Sequence, residues 1–313
     1  MPLDPLVKAF LDRAAAIPRP KAWDVPPPVM RQSFAGMMQL TAAKDVAVGK
    51  VEAITIPGPG GALKARSYAP IAASGPLPVL IYFHGGGFVA GSLESHDGLC
   101  RLFAAEGGFK VIAVDYRLAP ENTYPAAVDD AWAATLWIEQ NASQLGIDAT
   151  RVAVGGDSAG AMLAAIVTQI AREKGGVKLA HQLLMFPQVQ IGGETSSMHE
   201  FAVGYFLERR AIEYFNSLYL PADADRNSPR VSPLKTKDFA GLPPAYVMLG
   251  GYDPLHDEGM AYAEKLRAAG VKVTIADYPD MVHAFIYLQT VLTQAHDAVA
   301  DAARAVKAAL DAA

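Results

Sequence analysis

From Val79 onward, short apolar runs and helix-like stretches take turns along the chain, and this rhythm limits the fold more than any other feature. Val79-Leu80-Ile81-Tyr82-Phe83 is an unbroken apolar run, as for a strand buried on both faces. The pattern then predicts a helix around residues 96 to 106, a strand at Val111 to Val114, a helix at Ala126 to Gln140 and a strand at Val152 to Val154. Ala159 to Arg172 is apolar, alanine-rich and free of proline, which predicts a buried helix. Strand-like runs follow at Leu183 to Phe186, Tyr246 to Leu249 and Val271 to Ile275, and a last helix from about Gln294 to Ala312. Such alternation predicts an α/β fold: a mostly parallel sheet with helices on both faces. Ahead of it, Val51 to Ile56 and Leu63 to Tyr68 flank Pro57-Gly58-Pro59-Gly60-Gly61, which predicts a hairpin.

Two stretches break the rhythm. Residues 1–45 read as helices and loops around Pro26-Pro27-Pro28, with Leu6, Phe10, Ala14 and Ile17 at helical spacing. Between Gln188 and about Arg230 there is no strand signal, and Glu208 to Leu220 carries Ile212, Phe215 and Leu218 on one helical face. Both stretches are expected either to cover the mouth of a site or to pack simply against the core.

Composition narrows the function classes. At 313 residues the chain is long enough for one large α/β domain. Its formal charge of −5 comes without a basic block, so nucleic acid is not an expected partner. Cys100 is the only cysteine, which rules out an internal disulfide, and it reads as a small buried apolar residue. Asp4, Lys8, Asp12 and Arg13 interrupt any leader-like run, and no stretch of about 20 apolar residues exists to span a membrane. A cytoplasmic location is the expectation.

Chemistry concentrates at Gly156-Asp157-Ser158-Ala159-Gly160, between a predicted strand and a predicted helix. A serine hydroxyl is a poor nucleophile unless a sharp turn lifts it clear and a base takes its proton. Small neighbours permit that turn. His84-Gly85-Gly86-Gly87 follows the first buried strand, where three glycines weaken structure unless the backbone itself has a task. Backbone N–H groups aimed at a developing oxyanion lower a barrier by about 3 kcal/mol each. Gly86 and Gly87 are candidate donors, with Ala159 as a third. Of seven histidines, His283, in the loop after the last predicted strand, is the expected base. His84, tied into the glycine run, is expected to brace that loop, while His96, His181, His199 and His296 lack any motif and read as surface or packing residues. Asp253, which follows the strand Ala245 to Leu249 and the pair Gly250-Gly251, is the expected acid, although an aspartate before proline also suits a turn or helix cap. Asp257 reads as stabilising the loop, and Asp280 is close to His283 in sequence but not at a predicted strand end. The order Ser158, Asp253, His283 is that of α/β-hydrolases.

With these residues assembled, the chain resembles the bacterial hormone-sensitive-lipase-like (family IV) carboxylesterases, GDSAG subgroup. The resemblance rests on His84-Gly85-Gly86-Gly87-Phe88, Asp115-Tyr116-Arg117-Leu118-Ala119-Pro120-Glu121, the Ser158 pentapeptide and Asp253-Pro254-Leu255-x-Asp257, and covers nearly the whole chain. It implies an eight-stranded α/β-hydrolase core at residues 46–187 and 231–313, with a helical cap from residues 1–45 and 188–230. It implies hydrolysis of small-molecule esters with short to medium acyl chains, without metal or organic cofactor, by a protein that commonly forms homodimers through its last strand. Phe34, Met38, Tyr205, Ile212 and Phe215 are the expected pocket residues, being apolar members of the covering segments. Two positions depart from the family: Ala284 after the histidine and Ala161 after the pentapeptide, where glycine is usual. Amidase or lactonase activity fits the same triad. A non-catalytic receptor is the alternative outside enzymes, disfavoured by the histidine retained at position 283.

Overall fold

The computed structural model describes residues 1–18, 20–72 and 74–313. Its centre is one eight-stranded sheet in the order β1-β2-β4-β3-β5-β6-β7-β8. The strands are β1 (Lys50–Gly58), β2 (Gly61–Ala69), β3 (Leu77–Phe83), β4 (Lys110–Asp115), β5 (Ile147–Asp157), β6 (Leu179–Met185), β7 (Ala245–Tyr252) and β8 (Val273–Val282). The first pair forms the expected hairpin around Gly58 and Gly61, and β2 joins β4 antiparallel. From β4 to β8 every pairing is parallel.

The helices are α1 (Pro5–Ala16), α2 (Pro27–Thr41), α3 (Asp97–Gly107), α4 (Ala126–Gln140), α5 (Ala142–Leu145), α6 (Ala159–Lys174), α7 (Ser196–Glu200), α8 (Arg209–Tyr219), α9 (His256–Ala268) and α10 (Thr293–Asp311). Side chains alternate across a strand, and the two faces feed two cores. Val79, Ile81 and Phe83 of β3 join the cluster containing residues of α4, α6 and α9. Leu80 and Tyr82 join the opposite cluster, with residues of α3 and α10. An unbroken apolar run is therefore what a doubly covered strand requires. From Ala159 to Ala171 every residue of α6 is buried, consistent with its lack of a polar face.

The structure departs from expectation chiefly at β8. Its apolar run suggested Val271 to Ile275, whereas the strand runs to Val282, carried past Tyr278 and Asp280 by pairing with β7 across a register shift between Gly250 and Tyr252. Backbone pairing with a neighbour, which composition does not encode, extends it. As a result His283 stands directly at a strand end rather than in a free loop.

Helix α2 is tied to the loops that follow β3 and β4. From α2, the Arg31 guanidinium donates to the carbonyls of Val89 (2.7 Å) and Ala119 (2.8 Å), and to both oxygens of Glu121. That pairing holds the Glu121 carboxyl below its usual range. Among the described residues, no helix is long and apolar enough to cross a membrane.

Candidate active site

Four strand ends deliver the site. β5 ends at Asp157, and Ser158 turns the chain into α6 with φ 54° and ψ −117°, a strained conformation for a residue with a Cβ. A Cβ on Gly160 would sit inside the Phe83 carbonyl, so the turn can lie this close to β3 only with glycine there. Ala159 opens α6, where backbone N–H groups have no partner inside the helix. β3 delivers the glycine loop, with φ 119° at Gly86 and 62° at Gly87. β7 delivers Asp253, and β8 delivers His283.

The three expected chemical residues, 125 and 30 positions apart in sequence, meet in space. His283 Nε2 lies 3.2 Å from Ser158 Oγ, and His283 Nδ1 lies 2.7 Å from Asp253 Oδ2. Asp253 is 1% exposed and His283 5%, so their pairing is shielded from water, while Ser158 remains half-buried. The two sequence readings of Asp253 hold together: Oδ2 faces the imidazole and Oδ1 accepts the Leu255 N–H (2.8 Å), forming the turn that leads into α9. Asp257 instead accepts the Ser197 N–H (2.9 Å), fastening α7 to α9. The backbone carbonyl of Asp280 accepts the Asp4 N–H.

His84 braces the glycine loop, as expected. Its Nδ1 lies 2.8 Å from the Gly85 carbonyl, and its ring stacks on Tyr116 at 4.3 Å. Burial pushes its pKa down to about 3, so it is neutral and supplies no competing charge. Ala284 adopts φ 54° and ψ 30°, the left-handed region, while Ala161 is fully enclosed in the core of α6. Cys100 is buried, and burial raises its thiol well above the usual range.

The expected pocket residues divide. A Cβ on Gly87 would meet the Phe215 ring at 2.5 Å, so α8 rests an aromatic side chain directly on the glycine loop. Phe34 lies edge-on to Tyr287 at 6.4 Å. Ile212 belongs to a small cluster with Met198 and Leu255, and lines a 40 Å³ cavity beside Gln188 and Asn216. Met38 is packed within the α3–α10 core, and the Tyr205 ring lies tilted against Tyr252 at 5.3 Å.

Sequence reasoning passed over two contacts to the site. Phe186, at φ 50°, presents its ring to His283 at 5.6 Å and 61°; nothing in its sequence neighbourhood marks it. His96, read as a packing residue, is 1% exposed and shares a polar cluster with Asp157, Tyr82 and Tyr287. The Asp157 letter inside the serine pentapeptide was the available signal.

Comparison with known proteins follows the same lines. A family model described as alpha/beta hydrolase fold matches residues 80–287. The chain is 44% identical over 241 residues to the carboxylic ester hydrolase LipN of Mycobacterium tuberculosis, a match covering 75% of this chain and 64% of LipN. It is 42% identical to the esterase LipI of the same organism, covering 80% and 79% of the two chains. The structure of an ester hydrolase from the metagenome of Lake Arreo, complexed with a bipyridine phosphonate derivative, superposes with a TM-score of 0.95 at 42% identity, over 98% of each chain.

Proposed function

The chain belongs to the hormone-sensitive-lipase-like carboxylesterases of the α/β-hydrolase fold and is a carboxylic ester hydrolase, and on that premise we propose that it cleaves short- to medium-chain esters through an acyl-enzyme on Ser158. The observation that carries this reading is the unbroken hydrogen-bonded line from Asp253 through His283 to Ser158, at 2.7 and 3.2 Å. Ser158 Oγ attacks the ester carbonyl carbon as its proton passes to His283 Nε2. Asp253 Oδ2 holds the Nδ1–H and offsets the charge on the imidazolium. The carbonyl oxygen, now anionic, takes hydrogen bonds from the N–H groups of Gly86, Gly87 and Ala159. The tetrahedral species collapses, and the alcohol leaves with the proton from Nε2. Water then repeats the sequence on the acyl carbon, freeing the carboxylic acid and restoring Ser158. Protein groups and water account for every proton, so no cofactor enters the scheme.

Residues 1–45 and 188–230 act as a cap over a catalytic core of residues 46–187 and 231–313. Phe215, which packs on the glycine loop, and Phe34, Ile212, Met38 and Tyr205 of the covering segments are the proposed pocket residues. The reading includes a cytoplasmic location and a homodimer through β8, the strand at the sheet edge; light scattering tests the dimer.

Ser158→Ala tests the mechanism. Activity on p-nitrophenyl esters should fall by about 10⁴- to 10⁶-fold while the protein stays folded. Retention of most of the activity would overturn the assignment. An organophosphate should label Ser158 stoichiometrically; an inert serine would point to a receptor.

A further inference from the structure

One buried carboxylate beside the nucleophile has no part in the scheme above. Asp157 is fully buried, and its charge is met on three sides. Oδ1 accepts hydrogen bonds from the Tyr82 hydroxyl and from the Gly85 N–H (3.1 Å), and Oδ2 accepts the Tyr287 hydroxyl. His96 Nε2 lies 3.6 Å from Oδ1 and 3.1 Å from the Tyr287 hydroxyl, while its Nδ1 meets Ser95 Oγ at 2.8 Å. These contacts hold the Asp157 carboxyl below its usual range, although burial alone would raise it.

The partners matter more than their number. Gly85 begins the loop that carries Gly86 and Gly87, and a Cβ on Gly85 would fall on Asp157 Oδ2, so loop and carboxylate are fitted to each other. Tyr287 lies four residues beyond His283, in the single helical turn Phe285–Tyr287 that closes the histidine loop. Tyr82 is the penultimate residue of the strand that feeds the glycine loop, and Asp157 itself is bonded to Ser158. A single carboxylate thus touches all three moving parts of the chemistry: nucleophile turn, oxyanion loop and histidine loop.

The geometry points to Asp157 as a positioning residue that holds the oxyanion loop and the histidine loop in register with Ser158. This rests on the triad reading above. A buried charge with several aligned donors is a rigid tie, because each donor loses a charge-assisted bond if its loop shifts. A displacement on the order of 1 Å among reacting groups costs about 100-fold in rate.

The experiment measures kcat and KM on p-nitrophenyl acetate, per active site titrated with an organophosphate, together with the Kd for an arylboronic acid, which becomes tetrahedral on the serine. Asp157→Ala should lower kcat about 100-fold with KM within about threefold, and weaken boronate binding in step with kcat. Asp157→Asn keeps an acceptor for Tyr82 and Gly85 and offers an amide to Tyr287, so it should recover part of the loss. Tyr287→Phe, which removes the tie to the histidine loop together with its His96 contact, should lower kcat several-fold. Asp130→Asn is the control: that carboxylate is equally buried but pairs with Arg117 away from the site, so stability should drop without loss of kcat. Wild-type kcat per titrated site in Asp157→Ala overturns the proposal. If that variant does not fold, unchanged kcat in both Asp157→Asn and Tyr287→Phe overturns it equally. Failure of the triad reading would look different: wild-type protein would then neither titrate with organophosphate nor bind boronate.

Discussion

Ala284 occupies a backbone conformation that an L residue with a Cβ enters at a cost of about 1–2 kcal/mol. The position follows His283 directly, so the strain sits where the imidazole is aimed. Ala284→Gly should remove it. Glycine also loses more freedom on folding, so the expected net gain is modest, about 0.5–1 kcal/mol, read as a rise in Tm. A lower Tm would show that the methyl, which is 2% exposed, contributes more by packing than the torsion costs. Ser158 carries comparable strain, which its role retains, because only that turn exposes the hydroxyl. Individual candidate residues were legible in the chain because Ser158 and the glycine loop lie in small-residue clusters after strand-like runs, and Asp253 follows a strand-like run and the pair Gly250-Gly251. Phe186 and His96 were not, because each acts only through neighbours distant in sequence.

At the scale of elements, α8 is the helix of the 188–230 stretch that touches the glycine loop. It places Phe215 against Gly87, so its distance from the sheet and the room above the glycine loop change together. Phe215→Ala should widen that space and shift the preference among p-nitrophenyl esters toward longer chains, by about tenfold in the kcat/KM ratio of the octanoate to the acetate. An unchanged ratio would remove Phe215 from the pocket. The helical period of Ile212, Phe215 and Leu218 showed that α8 has an apolar face, but not which residue meets which partner. In the fold Ile212 turns to Met198 and Leu255, and Phe215 to the glycine loop. Similarly, β8 was half legible: its apolar beginning showed in the sequence, whereas its polar end is a strand only because β7 lies beside it.

At the scale of the whole molecule, buried titratable groups set how stability varies with pH. Glu258, on α9, accepts the N–H groups of Val189 and Gln190 where the chain leaves the sheet for the 188–230 stretch, and its other oxygen has no partner among the described residues. Burial outweighs those two donors and pushes its pKa up to about 8. The folded state therefore keeps a proton that the unfolded chain gives up near pH 4.5, and stability declines as pH rises through that window, levelling off above about 8. The slope is about 1.4 kcal/mol per pH unit at most, for one proton. Glu258→Gln should flatten the decline, measured as urea midpoint between pH 5 and 8; an unchanged slope would exclude Glu258 as its source. His181 acts on the acid side. Buried without a partner among the described residues, it titrates at about 4, so stability falls as pH drops from about 6.5 toward 4. His181→Leu should remove that part of the loss, and the same acid sensitivity in the variant would refute it.

The chain by itself determined the layered α/β architecture, since a doubly covered strand must be apolar throughout and a helix against it must bury at least one face. It also marked the candidate chemical residues, since a nucleophile turn and a backbone oxyanion site demand small residues at fixed places. Only the tertiary structure decided which buried polar groups serve the site, where β8 ends and which side chain of α8 faces the glycine loop. Those outcomes depend on distances between segments far apart in sequence, and burial, which alters charge and strand pairing alike, exists only once those segments have packed.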